Sequence, residues 1–387
     1  MTDKHIANTS QLLAPTADFG FAMLRREVSA NPGKNVLISP TSVSIALAMV
    51  ANGAVGSTKD EMALALGIDS LGDSANQSYW NLVAALDPAK LGVELAIANA
   101  LWTHKGFDFL PSFMNANRQY FNAGVNTSDF ADPSTLDAIN NWVFDNTKGK
   151  IGKILNSISP DKIMFVLNAV YFKGHWTTKF DKSGTRDKPF TTPKGERLHP
   201  IMFRTDRKMR YTQSAEAQVV ALPFGDPDKA RRISLIVLLP QLGKTVENVV
   251  NELTADALAG YYQQMRGHEV NLHLPKFEVE YDTTLNGTLK ALGMNQAFDS
   301  VNADFSGLLP KTQGNPCIGE VKHKTFARID EDGAEAAAIT SVGIGMTCLP
   351  PPPVDFNVNR PFVALIADED SGAVLFAGVI NDPKAPA

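Results

Sequence analysis

The chain carries every residue type that does chemistry in proteins, but the spacing gives no enzyme signature. His268-Glu269 with His273 misses the H-E-x-x-H pattern by one residue. The shift matters because a helix brings two metal ligands together at i and i+4, and this segment reads as a strand. No G-x-S-x-G elbow occurs. Gly343-x-Gly345 runs on to Cys348 where a dinucleotide loop needs a third glycine and a helix. Carboxylates are plentiful, yet no pair is spaced for acid–base work. Cys317 and Cys348 are too few for a disulfide scaffold and belong to no metal pattern; two free thiols are expected rather than one bridge.

What remains is a segment able to react as a substrate. Glu331-Asp332-Gly333-Ala334-Glu335-Ala336-Ala337-Ala338 leads into Ile339-Thr340-Ser341-Val342-Gly343-Ile344-Gly345. Ten residues after Glu335 carry no charge and no proline; Cys348-Leu349 and Pro350 to Pro353 then end the run. At strand period one face holds Ala334, Ala336, Ala338, Thr340, Val342 and Ile344, small at first and larger towards the end. The prolines deny it a tight hairpin to the next strand. Left in water as an extended edge, such a segment is an aggregation hazard. The use open to it is insertion as a strand into an existing sheet.

The rest of the chain must supply that sheet. At 387 residues, 44% apolar and 20% charged, it is an ordinary globule with a large core. The net charge of -5 argues against a nucleic-acid or anionic-membrane partner. Cations do cluster at Arg204 to Arg210 and at Lys229 to Arg232, where solvated loop charges are expected. No run approaches the roughly 20 apolar residues of a membrane span, and the first residues hold no apolar signal core. The chain as given is therefore expected to be cytosolic, or to be a mature form. Four N-x-S/T triplets, at Asn8, Asn76, Asn126 and Asn286, carry little weight.

The first half reads mainly helical. Helices are expected over Ala17 to Val28, from Ser39-Pro40 to Ala51, over Thr58 to Leu66 and Ser74 to Leu86, and after Asp132-Pro133 as far as Lys148-Gly149. Val93 to Leu101 alternates as a strand. The second half reads mainly as strands. Ile163 to Phe172 and Ile233 to Leu239 are buried on both faces, and 270–274, 277–281, Val321 to Ile329, Phe362 to Ala367 and Ala373 to Val379 complete the set. Thr245 to Met265 interrupts them as helix. The expected fold is one α+β body with large, largely antiparallel sheets.

Five motifs in order give this pattern a family. Asn35 to Ser42 resembles the N-I-x-x-S-P-x-S motif of the serpins, and Asn168 to Trp176 resembles their N-A-I-Y-F-K-G-x-W strand. Glu331 to Ala338 resembles their hinge, E-E-G-T-E-A-A-A. Asn359 to Phe362 and Leu375 to Gly378 resemble their closing H-P-F and F-x-G motifs. The resemblance runs from about Ala17 to Pro383. It implies one serpin domain over 1–387, with a large central, mostly antiparallel sheet, further sheets, eight to nine helices, and an exposed reactive-centre loop over 331–353.

The resemblance also implies a function. A serpin is a suicide inhibitor of serine proteases, not an enzyme. The protease cuts the loop, forms an acyl-enzyme, and is trapped when the loop enters the largest sheet as a new central strand. The bond usually cut follows the fourteenth residue beyond the hinge glycine, which gives Thr347–Cys348, with Met346 as neighbour candidate. These residues suit an elastase-, chymotrypsin- or subtilisin-like pocket; no Lys or Arg lies between Gly333 and Leu349, so trypsin-like targets are not expected. A papain-like cysteine protease is a further partner. By resemblance Ser39, Ser42, Asn168 and His323 form a polar cluster that controls sheet opening. Trp176, Thr185, Lys276 and Glu331 surround the point where the loop first enters, with a partly exposed Lys276–Glu331 pair. Ser74 to Lys90 holds a single cation, Lys90, so no heparin acceleration is expected. A monomer with no cofactor and no metal is expected, extracellular by resemblance. The runner-up is a non-inhibitory binding or chaperone serpin.

Overall fold

The computed structural model describes residues 3–86, 93–159, 162–226, 232–314, 316–331 and 352–386. The continuous apolar runs form its centre. Strand β4 (Met164–Lys173) is buried from Phe165 to Phe172, and β8 (Ile233–Pro240) at every position. Such runs survive only where both faces of a sheet are covered.

Five strands form one sheet, in the order β10 (Phe277–Thr284), β11 (Val321–Ile329), β4, β2 (Glu94–His104) and β3 (Gly124–Ser128). The other sheet has nine. Its path is β1 (Val36–Ile38), β14 (Val374–Ile380), β13 (Phe362–Asp368), β8, β7 (Ala217–Pro223), β6 (Gly195–Gln213), β9 (Arg266–Pro275) and β12 (Val354–Asn357), with β5 (Arg186–Thr192) also paired to β6. Pairing is largely antiparallel. The parallel exceptions among the described strands are β11 with β4, β2 with β3, and β12 with β9. The sheet with more strands is not the one that the loop leaves: β11 of the five-stranded sheet runs directly into Glu331.

Nine α-helices lie among the described residues. α1 (Asp3–Ala30) packs on α2 (Pro40–Ala51), and α2 and α6 (Ser134–Asn146) pack on the five-stranded sheet. α2 is buried from Pro40 to Val50 and packs beneath β4, β2 and β14. Val166, Val170 and Phe172 of β4 belong to this main core. The opposite face of β4, with Phe165, Leu167 and Ala169, meets Ile139 and Val143 of α6 in a second core. The sheet is thus clamped between α2 and α6.

Local signals explain several boundaries. The Asp132 carboxylate accepts the Ser134 N–H at the start of α6, and left-handed Lys148 and Gly149 follow its end. The expected single helix over 245–265 is two, α7 (Val246–Glu252) and α8 (Ala255–Gln264). Thr245 and Thr254 each accept a backbone N–H at the first turn. α1 begins at Asp3, fourteen residues before the expected Ala17, because Pro15 is carried inside the helix. The basic run at 204–210 is not loop but part of β6, and only some of it is solvated. Arg204 is 8% exposed and Arg210 pairs with Glu369, while Arg207 and Lys208 face solvent.

Candidate functional site

The parallel pair β4·β11 is the seam that any strand following Glu331 would meet. Val321 to Ala327 register with Val166 to Phe172. Parallel pairing is slightly weaker per residue than antiparallel. A chain that turns back after β11 would run antiparallel to both seam strands, so its insertion exchanges one parallel pairing for two antiparallel ones.

At mid-seam the register brings Asn99, Asn168 and His323 into one row across three strands. His323 is fully buried and donates from Nδ1 to Asn168 Oδ1 at 2.7 Å. Its Nε2 accepts the Ser39 N–H at 3.1 Å. Both ring nitrogens are therefore committed to the neutral form, and burial pushes its pKa down to about 3. The Asn168 amide donates to Ser42 Oγ and to Asn99 Oδ1, the latter at 2.6 Å. Ser39 stands at the N-cap of α2, where a hydroxyl would normally hold the first turn. Here its Oγ donates instead to Leu375 O of β14 at 2.6 Å, tying the cluster to the other sheet. The four expected residues thus come together, and Asn99 is a fifth that sequence reasoning missed. Its signal was a lone amide in an otherwise apolar strand interior.

At the end of the seam the chain leaves β11 under close control. Trp176 Nε1 donates to Asp330 O at 2.7 Å. Thr185 Oγ1 donates to Glu331 Oε1 at 2.7 Å, and Lys276 Nζ meets Glu331 Oε2 at 2.8 Å. The Glu331 side chain is 6% exposed and that of Lys276 23%, so the expected partly exposed pair is buried on its acid side. Burial pushes the Glu331 carboxyl up, but the Lys276 and Thr185 hydrogen bonds outweigh it and the net shift is down. The Trp176 indole stacks on Phe224 at 4.4 Å. Gly174 fits beneath, where a Cβ would lie 2.4 Å from the Phe224 ring. Trp176, Thr185, Lys276 and Glu331 form one constellation.

The hinge from Asp332 to Ala338 and the bond candidates Met346, Thr347 and Cys348 lie outside the described residues. Cys317 is a free, half-buried thiol. Among the described residues no group of three or more His, Cys, Asp or Glu side chains could hold a metal ion, and His268 and His273 stand on β9. Among the described residues no helix is long and apolar enough to cross a membrane.

The parallel seam thus carries a buried polar cluster at its middle, and the chain is held by three side chains where it leaves β11. Comparison with known proteins gives the class. The family model for serpins, described as serine protease inhibitors, matches residues 14–383. The leukocyte elastase inhibitor of Xenopus tropicalis is 32% identical over 376 residues, covering 94% of this chain and 97% of the frog protein. Among solved structures, the thermophilic serpin tengpin in its native state aligns with a TM-score of 0.84 at 32% identity, covering 99% of this chain and 95% of tengpin. Human thyroxine-binding globulin complexed with thyroxine aligns at 0.83 with 28% identity, covering 98% and 100%. The chain belongs to the serpin family, which groups it with protease inhibitors and not with enzymes.

Proposed function

We propose that this protein is a suicide-substrate inhibitor of serine endopeptidases with an elastase-, chymotrypsin- or subtilisin-like pocket. The protease serine Oγ attacks the carbonyl carbon of Thr347, and the Cys348 nitrogen leaves with a proton. An ester joins the enzyme to Thr347. Residues 334–345 then enter between β4 and β11 and carry the ester-linked protease along. Deacylation stops when its oxyanion geometry is lost.

The observation that carries this reading is the root of the loop. Glu331 directly continues β11 at the end of the parallel seam, so no crossover is needed for entry. Ala334, Ala336 and Ala338 offer nothing bulky to obstruct it. A net hydrogen bond stabilises by about 1 kcal/mol, while ordering a residue costs about 1–2 kcal/mol. Hydrogen bonding therefore does not drive insertion unaided, and the uninserted form must hold strain. In this reading Ser39, Ser42, Asn99, Asn168 and His323 lock the seam, and Trp176, Thr185, Lys276 and Glu331 hold its mouth closed.

The second reading, a non-inhibitory carrier, is favoured by the likeness to thyroxine-binding globulin. One experiment separates the two. The protein is mixed with pancreatic elastase, chymotrypsin and subtilisin, and with papain for the cysteine-protease partner, and run on a denaturing gel. A band of summed mass supports the inhibitor; clean loop cleavage with no such band overturns it and leaves the carrier.

A further inference from the structure

Arg204 lies outside both clusters at the seam. It stands on β6 of the nine-stranded sheet, paired to Leu272 of β9, and only 8% of it is exposed. Buried cations are expensive unless a carboxylate and a full set of acceptors surround them. Arg204 has neither. Asp206 Oδ2 is 3.6 Å from its NH2, one NH1 hydrogen bond goes to Thr178 O, and its Nε is buried with no partner among the described residues. Its guanidinium carbon lies 4.9 Å from the centroid of the Phe180 ring. Burial pushes its pKa down to about 10, so it stays charged at neutral pH.

The groups it holds give the reason. Thr178 and Phe180 belong to the segment that follows β4, which ends at Lys173. Phe180 meets the Trp176 indole edge-on at 5.8 Å, and Trp176 holds the Asp330 carbonyl at the root of the loop. The same segment is fixed to the nine-stranded sheet by Thr177 N–H to Pro223 O at 3.0 Å and by Thr177 Oγ1 to Gly225 O at 2.7 Å. A chain of contacts thus runs from β6 through Arg204, Phe180 and Trp176 to Asp330, and so from one sheet to the seam of the other.

We infer that Arg204 is a positioning residue, a latch between the two sheets that keeps the segment after β4 seated and the mouth of the β4·β11 seam closed until the loop is cut. The inference rests on the proposed insertion of residues 334–345. When a strand enters at Glu331, Trp176 must give up the Asp330 carbonyl and the end of β4 must part from β11. The Arg204 contacts to Thr178 and Phe180 resist that parting. They stabilise the uninserted form and are released in the inserted one.

The test compares wild type, Arg204→Met and Arg204→Lys, each intact and loop-cleaved, by urea unfolding. It adds the rate at which a synthetic peptide of residues 334–345 anneals to the intact protein. Loss of the latch predicts a lower unfolding midpoint for intact Arg204→Met with an unchanged midpoint for its cleaved form. Peptide annealing should be about ten-fold faster, the scale of one lost charge-assisted hydrogen bond. Arg204→Lys keeps a donor for Thr178 O but loses the planar contact with Phe180, and should fall between. Equal destabilisation of both forms makes Arg204 an ordinary packing residue and overturns the inference, as does unchanged annealing. If wild-type protein gains no stability on cleavage, the proposed insertion itself fails, a result distinct from either.

Discussion

His323 Nδ1 donates to Asn168 Oδ1 at 2.7 Å across the parallel seam, and this bond joins the two strands that an inserted strand would have to separate. The cluster as a whole depends on an uncharged imidazole, because a proton on Nε2 would face the Ser39 N–H that Nε2 now accepts.

That gives a pH dependence with a definite sign. The His323 pKa in the folded chain is about 3, against about 6.5 for a free imidazole. Between those values the unfolded chain binds one more proton, so stability falls as pH drops from about 6.5 towards 3 and is flat above. The contribution lost between pH 7.5 and 5 is about 2 kcal/mol. Urea unfolding of wild type against His323→Gln checks it. The wild-type midpoint should fall more steeply over that range, whereas parallel curves would show that His323 does not titrate in the unfolding reaction.

Asn99→Ala removes the acceptor that Asn168 Nδ2 and Ser42 Oγ both use. Two donors are then left buried, at about 1–3 kcal/mol. Intact protein should lose that stability and self-insert more readily on mild heating, read as conversion to a form resistant to 8 M urea, about the strongest urea in common use. Unchanged stability would remove Asn99 from the lock.

Lys276→Met leaves Glu331 almost buried without its cation. A cost of about 1–3 kcal/mol is expected, less than for a fully buried pair because Lys276 is partly exposed. Adding Glu331→Gln should restore part of it. The double-mutant cycle measures the coupling directly, and additive effects would mean that the pair does not act as a unit.

How far all this could be read from the sequence depended on burial. β4 and β8 were legible because a strand covered on both faces needs apolar residues at every position. The start of α2 was legible from Ser39-Pro40. β6 was not. Its 19 residues carry charge at Glu196, Arg197, Arg204, Asp206, Arg207, Lys208 and Arg210, so a half-exposed ladder resembled a solvated loop. Ser39, Ser42, Asn168 and His323 came from the family resemblance, since spacing alone gives no reason to unite residues up to 284 positions apart. Asn99 escaped because its role follows from strand register, which only the paired strands reveal.

The hinge prediction needs no structure. Ala336→Arg places a long cation on the face that must be buried when residues 334–345 insert. Thr347–Cys348 should still be cut at a similar rate, but the covalent band should disappear and the inhibitor become a plain substrate. A persistent covalent band would show that Ala336 does not enter the sheet.

The most direct measurement is amide hydrogen exchange of β4 and β11 before and after the loop is cut. With residues 334–345 between them, peptides covering 164–173 and 321–329 should exchange more slowly in the cleaved protein, and 334–345 should itself become protected. Identical exchange in the two forms, with 334–345 unprotected in both, would contradict insertion.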